Sequence, residues 1–156
     1  MGAVEYFLKI DGIEGESADA KHRGEIDVRA WNFGENREDE SQTGGGTGGG
    51  KAKFQDFYFS AKVSKATPTL IAACANGQQI KSAVLTCRKV GEFQLEFLVY
   101  KFSEILITSF QTGALEESDI LPVDHVSFSF EKIEVDYVEQ KSDGTLALPV
   151  SVVVQV

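Results

Sequence analysis

Cysteine is nearly missing from this chain: 156 residues hold two, Cys74 and Cys87. Two cysteines thirteen positions apart make neither a dense disulfide framework nor a zinc site of the Cys-x-x-Cys kind, so both are expected to be reduced, as in a cytosolic protein. A basic excess is missing too. The 24 acidic and 15 basic side chains leave a formal charge of -9. The imbalance is spread along the chain, with 11 acidic against 7 basic in residues 1–53 and 13 against 8 in the rest. No half is a basic arm, which argues against a sequence-independent grip on nucleic-acid phosphates. No run approaches the roughly 18–20 apolar residues of a membrane span. The first apolar stretch is interrupted by Glu5, Lys9 and Asp11, so it lacks an uncharged signal core, and any export is expected to bypass an N-terminal peptide.

What is present is apolar material for one core, at 42% hydrophobic residues, arranged with a period of two. Val4, Tyr6, Leu8 and Ile10 alternate with Glu5, Phe7 and Lys9. The same holds for Ile26, Val28 and Ala30, for Phe57 to Val63, for Ala83, Leu85 and Cys87, and for Phe93, Leu95, Phe97 and Val99. Such alternation predicts half-buried strands. Turn signals at Asp11-Gly12, Gly15-Glu16-Ser17, Thr112-Gly113 and Asp143-Gly144 separate them, which points to a barrel or sandwich. Val126, Phe128 and Phe130 share one parity, whereas Ile133, Val135 and Tyr137 take the other. Either a β-bulge with one extra residue near Glu131-Lys132 corrects the register, or two short strands meet there. One helix is signalled, with Thr67 as cap, Pro68 in its first position and Gly77 as terminator. Leu70, Ile71 and Cys74 would share its sealing face.

Residues 32–53 break the pattern. Glu35, Arg37, Glu38, Asp39 and Glu40 precede Gly44, Gly45, Gly46, Thr47, Gly48, Gly49 and Gly50. Six glycines in seven positions have no fixed local structure without outside contacts, and loops of this length tend to be functional or disordered.

The apparent catalytic and binding motifs fail on chemistry. Gly45 to Lys51 nearly spells a phosphate loop, but Ala52 stands where a magnesium-binding hydroxyl is needed, and a strand follows instead of a helix. Asp11 to Glu16 lacks the acidic ladder of a calcium loop. Asp124 and His125 are neighbours on a strand and so face opposite ways. Cys87, beside Arg88, reads as an inward core residue, and Cys74 likewise as packing. No serine sits in a nucleophile elbow. The expectation is a chain that is not an enzyme and needs no cofactor or metal.

A series of stretches carries a resemblance. It starts at Tyr6-Phe7-Leu8-Lys9-Ile10-Asp11-Gly12-Ile13-Glu14-Gly15-Glu16-Ser17, Lys21-His22, Glu25-Ile26-Asp27-Val28 and Ala30-Trp31-Asn32-Phe33-Gly34, and passes the glycine-rich loop into Gln55-Asp56. It continues at Lys65-Ala66-Thr67-Pro68-Thr69-Leu70, Leu85-Thr86-Cys87-Arg88-Lys89 and Ile107-Thr108-Ser109-Phe110-Gln111-Thr112-Gly113, and ends at Leu121-Pro122-Val123-Asp124-His125-Val126-Ser127-Phe128 and Lys132-Ile133-Glu134-Val135-Asp136-Tyr137. In order and spacing, over roughly residues 6–146, the series resembles the haemolysin-coregulated protein (Hcp) family, tube proteins of the bacterial type VI secretion system. Two departures stand out. Asn32-Phe33-Gly34 replaces the family's Ser-Trp-Gly, and the last strand, Leu148 to Val156, lacks the usual Gly-Trp pair.

The resemblance implies a single domain, residues 1–156: a β-barrel of two antiparallel sheets with one flanking helix and a long glycine-rich loop, shared with contractile phage tail tubes. It implies homohexameric rings that stack into a tube, a trimeric spike protein, a contractile sheath and small effector proteins as partners, and a place both in the cytoplasm and outside the cell. Nucleic acid and membrane are not expected partners. On this reading residues 32–53 reach from one ring onto the next and order only there, the alternative being a disordered loop with no role, and Arg29, Trp31 and Asn32 border the inner wall, where they would contact cargo. An alternative for Trp31 is packing at a protomer boundary. Readings from other classes are a monomeric secreted ligand-binding β-barrel and a small hydrolase.

Overall fold

The structure is a computed structural model, and it describes residues 3–37, 52–91, 94–116 and 121–156. Among these are eleven strands and one helix. In chain order they are β1 (Val4–Ile10), β2 (Ile26–Val28), β3 (Ala30–Asn32), β4 (Glu35–Arg37), β5 (Ala52–Phe54), β6 (Phe57–Lys62), α1 (Ala66–Asn76), β7 (Gln79–Lys89), β8 (Glu96–Gly113), β9 (Val123–Ser129), β10 (Lys132–Tyr137) and β11 (Val150–Gln155). The mainly β, antiparallel fold with one flanking helix agrees with the expectation. No helix among the described residues is long and apolar enough to cross a membrane.

The main sheet runs β2-β1-β7-β8-β9-β6-β3, with β10 branching from β8 and β11 pairing β10. The ladder does not close into a barrel by pairing. Its two ends are instead one stretch of chain: β2 pairs β1, β3 pairs β6, and only Arg29 lies between them. Arg29 makes the corner by donating its backbone N–H to the Ser60 carbonyl at 2.8 Å. The facing parity flips there. Ile26 and Val28 are buried, Ala30 is exposed, and Trp31 turns inward. The second sheet is the β4-β5 ribbon, which pairs Glu35 with Phe54 and Arg37 with Ala52. Residues 32–37 and 52–53 are thus ordered within the single chain, against the expectation that 32–53 order only on a neighbouring ring, because β4 pairs β5 and Phe33 and Phe54 pack onto Phe130. Gly44 to Gly50 lie outside the described residues.

Strand β8 is the spine. Its first half pairs β10 from Phe102↔Ile133 to Leu98↔Tyr137, and its second half pairs β9 from Leu106↔Ser129 onward. Where these halves meet, β9 and β10 are separate strands, so two short strands meet at Phe130–Glu131. No residue is inserted relative to β8, since Ser103↔Lys132 and Leu106↔Ser129 keep one register across the gap. Both strands change phase together. Glu104 takes a positive φ of 52°, while burial passes from Phe102 to Ile105 on one strand and from Phe130 to Ile133 on the other.

The core is aromatic. Phe57, Phe59, Phe102 and Phe128 are at most 1% exposed and fill the space between the sheet layers; each contributes about 1.5–3 kcal/mol by burial. The helix seals one end with Ala66, Leu70 and Ala73, while Ile71 is exposed, against the expected face. Its N-terminus also differs. Ser64 and Thr67 cap reciprocally, the Ala66 N–H donating to Ser64 Oγ and the Ser64 N–H to Thr67 Oγ1, so the helix begins ahead of Thr67. Gly77, at φ 61°, ends it as expected.

Candidate assembly and cargo surfaces

Strand β3 continues the Arg29 corner, and its alternation divides the three predicted cargo residues. Arg29 and Asn32 are exposed. Trp31 is half-buried and packs against Tyr6, Phe57 and Tyr100, with ring centroids 6.0, 6.1 and 5.3 Å away. Beside them an open groove of about 910 Å³ runs along Arg29, Ala30, Ser60, Gln111 and His125. The Tyr58 hydroxyl, cross-strand from Asn32, lies 2.6 Å from His125 Nδ1. The groove joins polar groups of Arg29, Gln111 and His125 to an apolar wall of Leu115, Leu121 and Val123.

A second surface is the edge of β11, which among the described residues pairs only β10. Four of its six residues are valine, with Val150 70% exposed and Val152 and Val153 each 52%. Leu146 and Leu148, just before it, are also exposed. An open edge that is also apolar combines unpaired backbone groups with surface that water disfavours.

Sequence reasoning missed the third feature, a charged layer outside the core. Residues 14–25 form a strap over β1 and β7, tied by Gly15 N–H to the Gly24 carbonyl at 2.8 Å and Ser17 N–H to the Glu25 carbonyl at 3.0 Å. A Cβ on Gly15 would lie 2.5 Å from the Glu25 carbonyl oxygen, so that turn admits only glycine. Under the strap, Arg88 is 1% exposed. It donates to Glu5 Oε2 at 2.6 Å and to Asp19 at 2.7 and 3.0 Å, and its guanidinium lies 4.8 Å from the Phe7 ring centroid. The Arg88 hydrogen bonds hold the Asp19 carboxyl down to about 2, against the opposing effect of burial. His22 stacks on the same Phe7 at 4.4 Å. The available signal was that Glu5 and Arg88 oppose each other across β1 and β7, but nothing local brings in Asp19 or Glu96.

The groups considered for catalysis are separated. Asp124 is buried and accepts from Thr67 Oγ1 at 2.5 Å, while His125 faces outward. Burial pushes the Cys87 thiol up to about 12, which makes it a poor nucleophile. Cys74 is half-buried against the core, and both cysteines are free. Asp11-Gly12 is a turn at the end of β1. Among the described residues no group of three or more His, Cys, Asp and Glu side chains is placed to hold a metal ion.

The sequence model of the family described as "Type VI secretion system effector, Hcp" matches residues 7–137. The chain belongs to the Hcp family. Protein hcp1 of Pseudomonas aeruginosa is 41% identical over 143 residues, covering 91% of this chain and 88% of that protein. A type VI secretion system effector from Yersinia pestis superposes with a TM-score of 0.75 at 34% identity, over 97% of this chain and 99% of the other. Hcp1 from Salmonella typhimurium gives 0.76 at 30%, over 96% and 93%. These superpositions span nearly the whole of this chain, whereas the family model ends at Tyr137, ahead of β11.

Proposed function

We propose that this chain is the structural inner-tube subunit of a type VI secretion system, not an enzyme: six copies close into a ring, rings stack into a tube, and the bore carries small effector proteins. The observation that carries this reading is the bare valine edge of β11. A solitary domain gains nothing by exposing it, whereas a head-to-tail contact repeated around a ring covers it in every copy. The aromatic filling of the interior favours this over a monomeric ligand-binding barrel, since Phe57, Phe59, Phe102 and Phe128 take the space a ligand would need. The sheath, the trimeric spike and export from the cytoplasm follow from the same reading.

Residues 32–53 serve as the inter-ring arm, with Gly44 to Gly50 supplying its freedom to conform to the next ring. The β4-β5 ribbon gives that arm a fixed root. Arg29 and Asn32, together with the uncovered part of the Trp31 indole, contact cargo. Deleting Gly44–Gly50 leaves single rings but no stacked tubes by electron microscopy; tubes of unchanged length would overturn the role of the arm. In the same preparation, Asn32→Arg reduces co-purified effector while rings persist, and undiminished effector would remove Asn32 from the cargo face.

A further inference from the structure

His22 joins the strap to a distant strand through both ring nitrogens at once. Nδ1 is 2.9 Å from Glu25 Oε2, within the strap, and Nε2 is 2.7 Å from Glu96 Oε1, the first residue of β8. Both acceptors are carboxylates. An imidazolium has an N–H at each nitrogen and satisfies both; a neutral ring has one N–H, so a lone pair must then face one carboxylate. Such an arrangement holds together in only one protonation state.

We propose that His22 is a proton-operated fastener: protonated, it pins the 14–25 strap to the start of β8, and neutral, it releases Glu96. The exposures decide which bond yields. The Glu25 side chain is 14% exposed and follows three residues later in the same strap, whereas Glu96 is 39% exposed and can rotate into water. The charged groups facing the ring are Glu25 and Asp19 from the strap, Glu96 from β8 and, over the same Phe7 of β1, Arg88 from β7, itself bonded to Glu5. The Arg88–Asp19 pair keeps the other end of the strap in place, so release is local. Burial of the ring opposes its charge, but hydrogen bonds to Glu96 and Glu25 outweigh it and raise the His22 pKa above its ordinary value. A group with a raised folded pKa contributes fully below about 6.5, its unfolded value, and its contribution is lost as pH climbs through the folded value.

The test follows the His22 ring signals of the full-length protein by NMR across neutral pH, with His125→Gln separating the two histidines, and in parallel measures amide exchange of residues 15–25, corrected for the intrinsic effect of pH. The wild-type strap should exchange about tenfold faster above the His22 midpoint than below it, as expected when one charged hydrogen bond is lost. Glu96→Gln offers an amide N–H to the lone pair of the neutral ring. It should lower the midpoint and flatten the rise, a response that loss of packing does not produce. A His22 midpoint at or below about 6.5, or the same rise in wild type and Glu96→Gln, overturns the proposal.

Discussion

Arg88 shows what a single side chain does when the strand pattern places a charge where the fold needs a wall. It lies between Cys87 and Lys89 on β7, and the strap closes over it, so its charge depends on Glu5 and Asp19. Arg88→Met keeps much of the bulk but leaves two carboxylates facing each other, and should destabilise by about 2–3 kcal/mol in urea unfolding. Asp19 gives the pair its pH dependence. Its folded pKa lies below the ordinary carboxyl value, so its stabilising contribution is complete above about 4 and is lost as pH falls toward about 2. The urea midpoint of the wild type should therefore drop more steeply than that of Asp19→Asn over that range. Parallel profiles would mean that the hydrogen bonds of Asp19 to Arg88 contribute nothing. Little of this layer was legible in the sequence. Phe7, Thr86 and Arg88 alternate with core residues and read as a solvent face, because burial by a loop leaves no periodic trace.

At the level of elements, β11 carries the heaviest consequence. Val153 lies opposite Glu134, which is bonded to Lys101 at 3.2 Å. A lysine there finds a carboxylate beside it, so Val153→Lys should fold with a wild-type circular dichroism spectrum and lose ring mass; full-size rings would place the ring contact elsewhere. Strands that keep one register with their neighbours were readable from alternation, as β1 and β6 show. The flips at Arg29 and at Glu104 with Phe130 were not, or only by half. The phase change after Phe130 is visible in one strand, but its matching change in β8 belongs to the pair, and no single strand reveals whether a residue has been inserted. The helix stop at Gly77 was legible because glycine adopts that left-handed backbone without a Cβ penalty, whereas the start rests on a side-chain exchange between Ser64 and Thr67 that competes with the signal of Pro68.

For the whole molecule, the sequence held the family in a long series of short matches, and the matched span of residues 7–137 agrees with it. The assembly was less legible, because a ring is a property of surfaces that one chain leaves uncovered. The candidate surfaces are specific: an apolar edge at β11, a mixed groove beside Arg29 and Ala30, and the β4-β5 ribbon. All of them depend on one claim, that the chain exists to bind copies of itself. The direct measurement is the mass and shape of the purified protein in solution, by light scattering together with negative-stain electron microscopy. The account predicts particles of six 17.0 kDa chains with sixfold views and a central hole. A chain that stays at 17.0 kDa at high concentration, with no ring in any field, would contradict it.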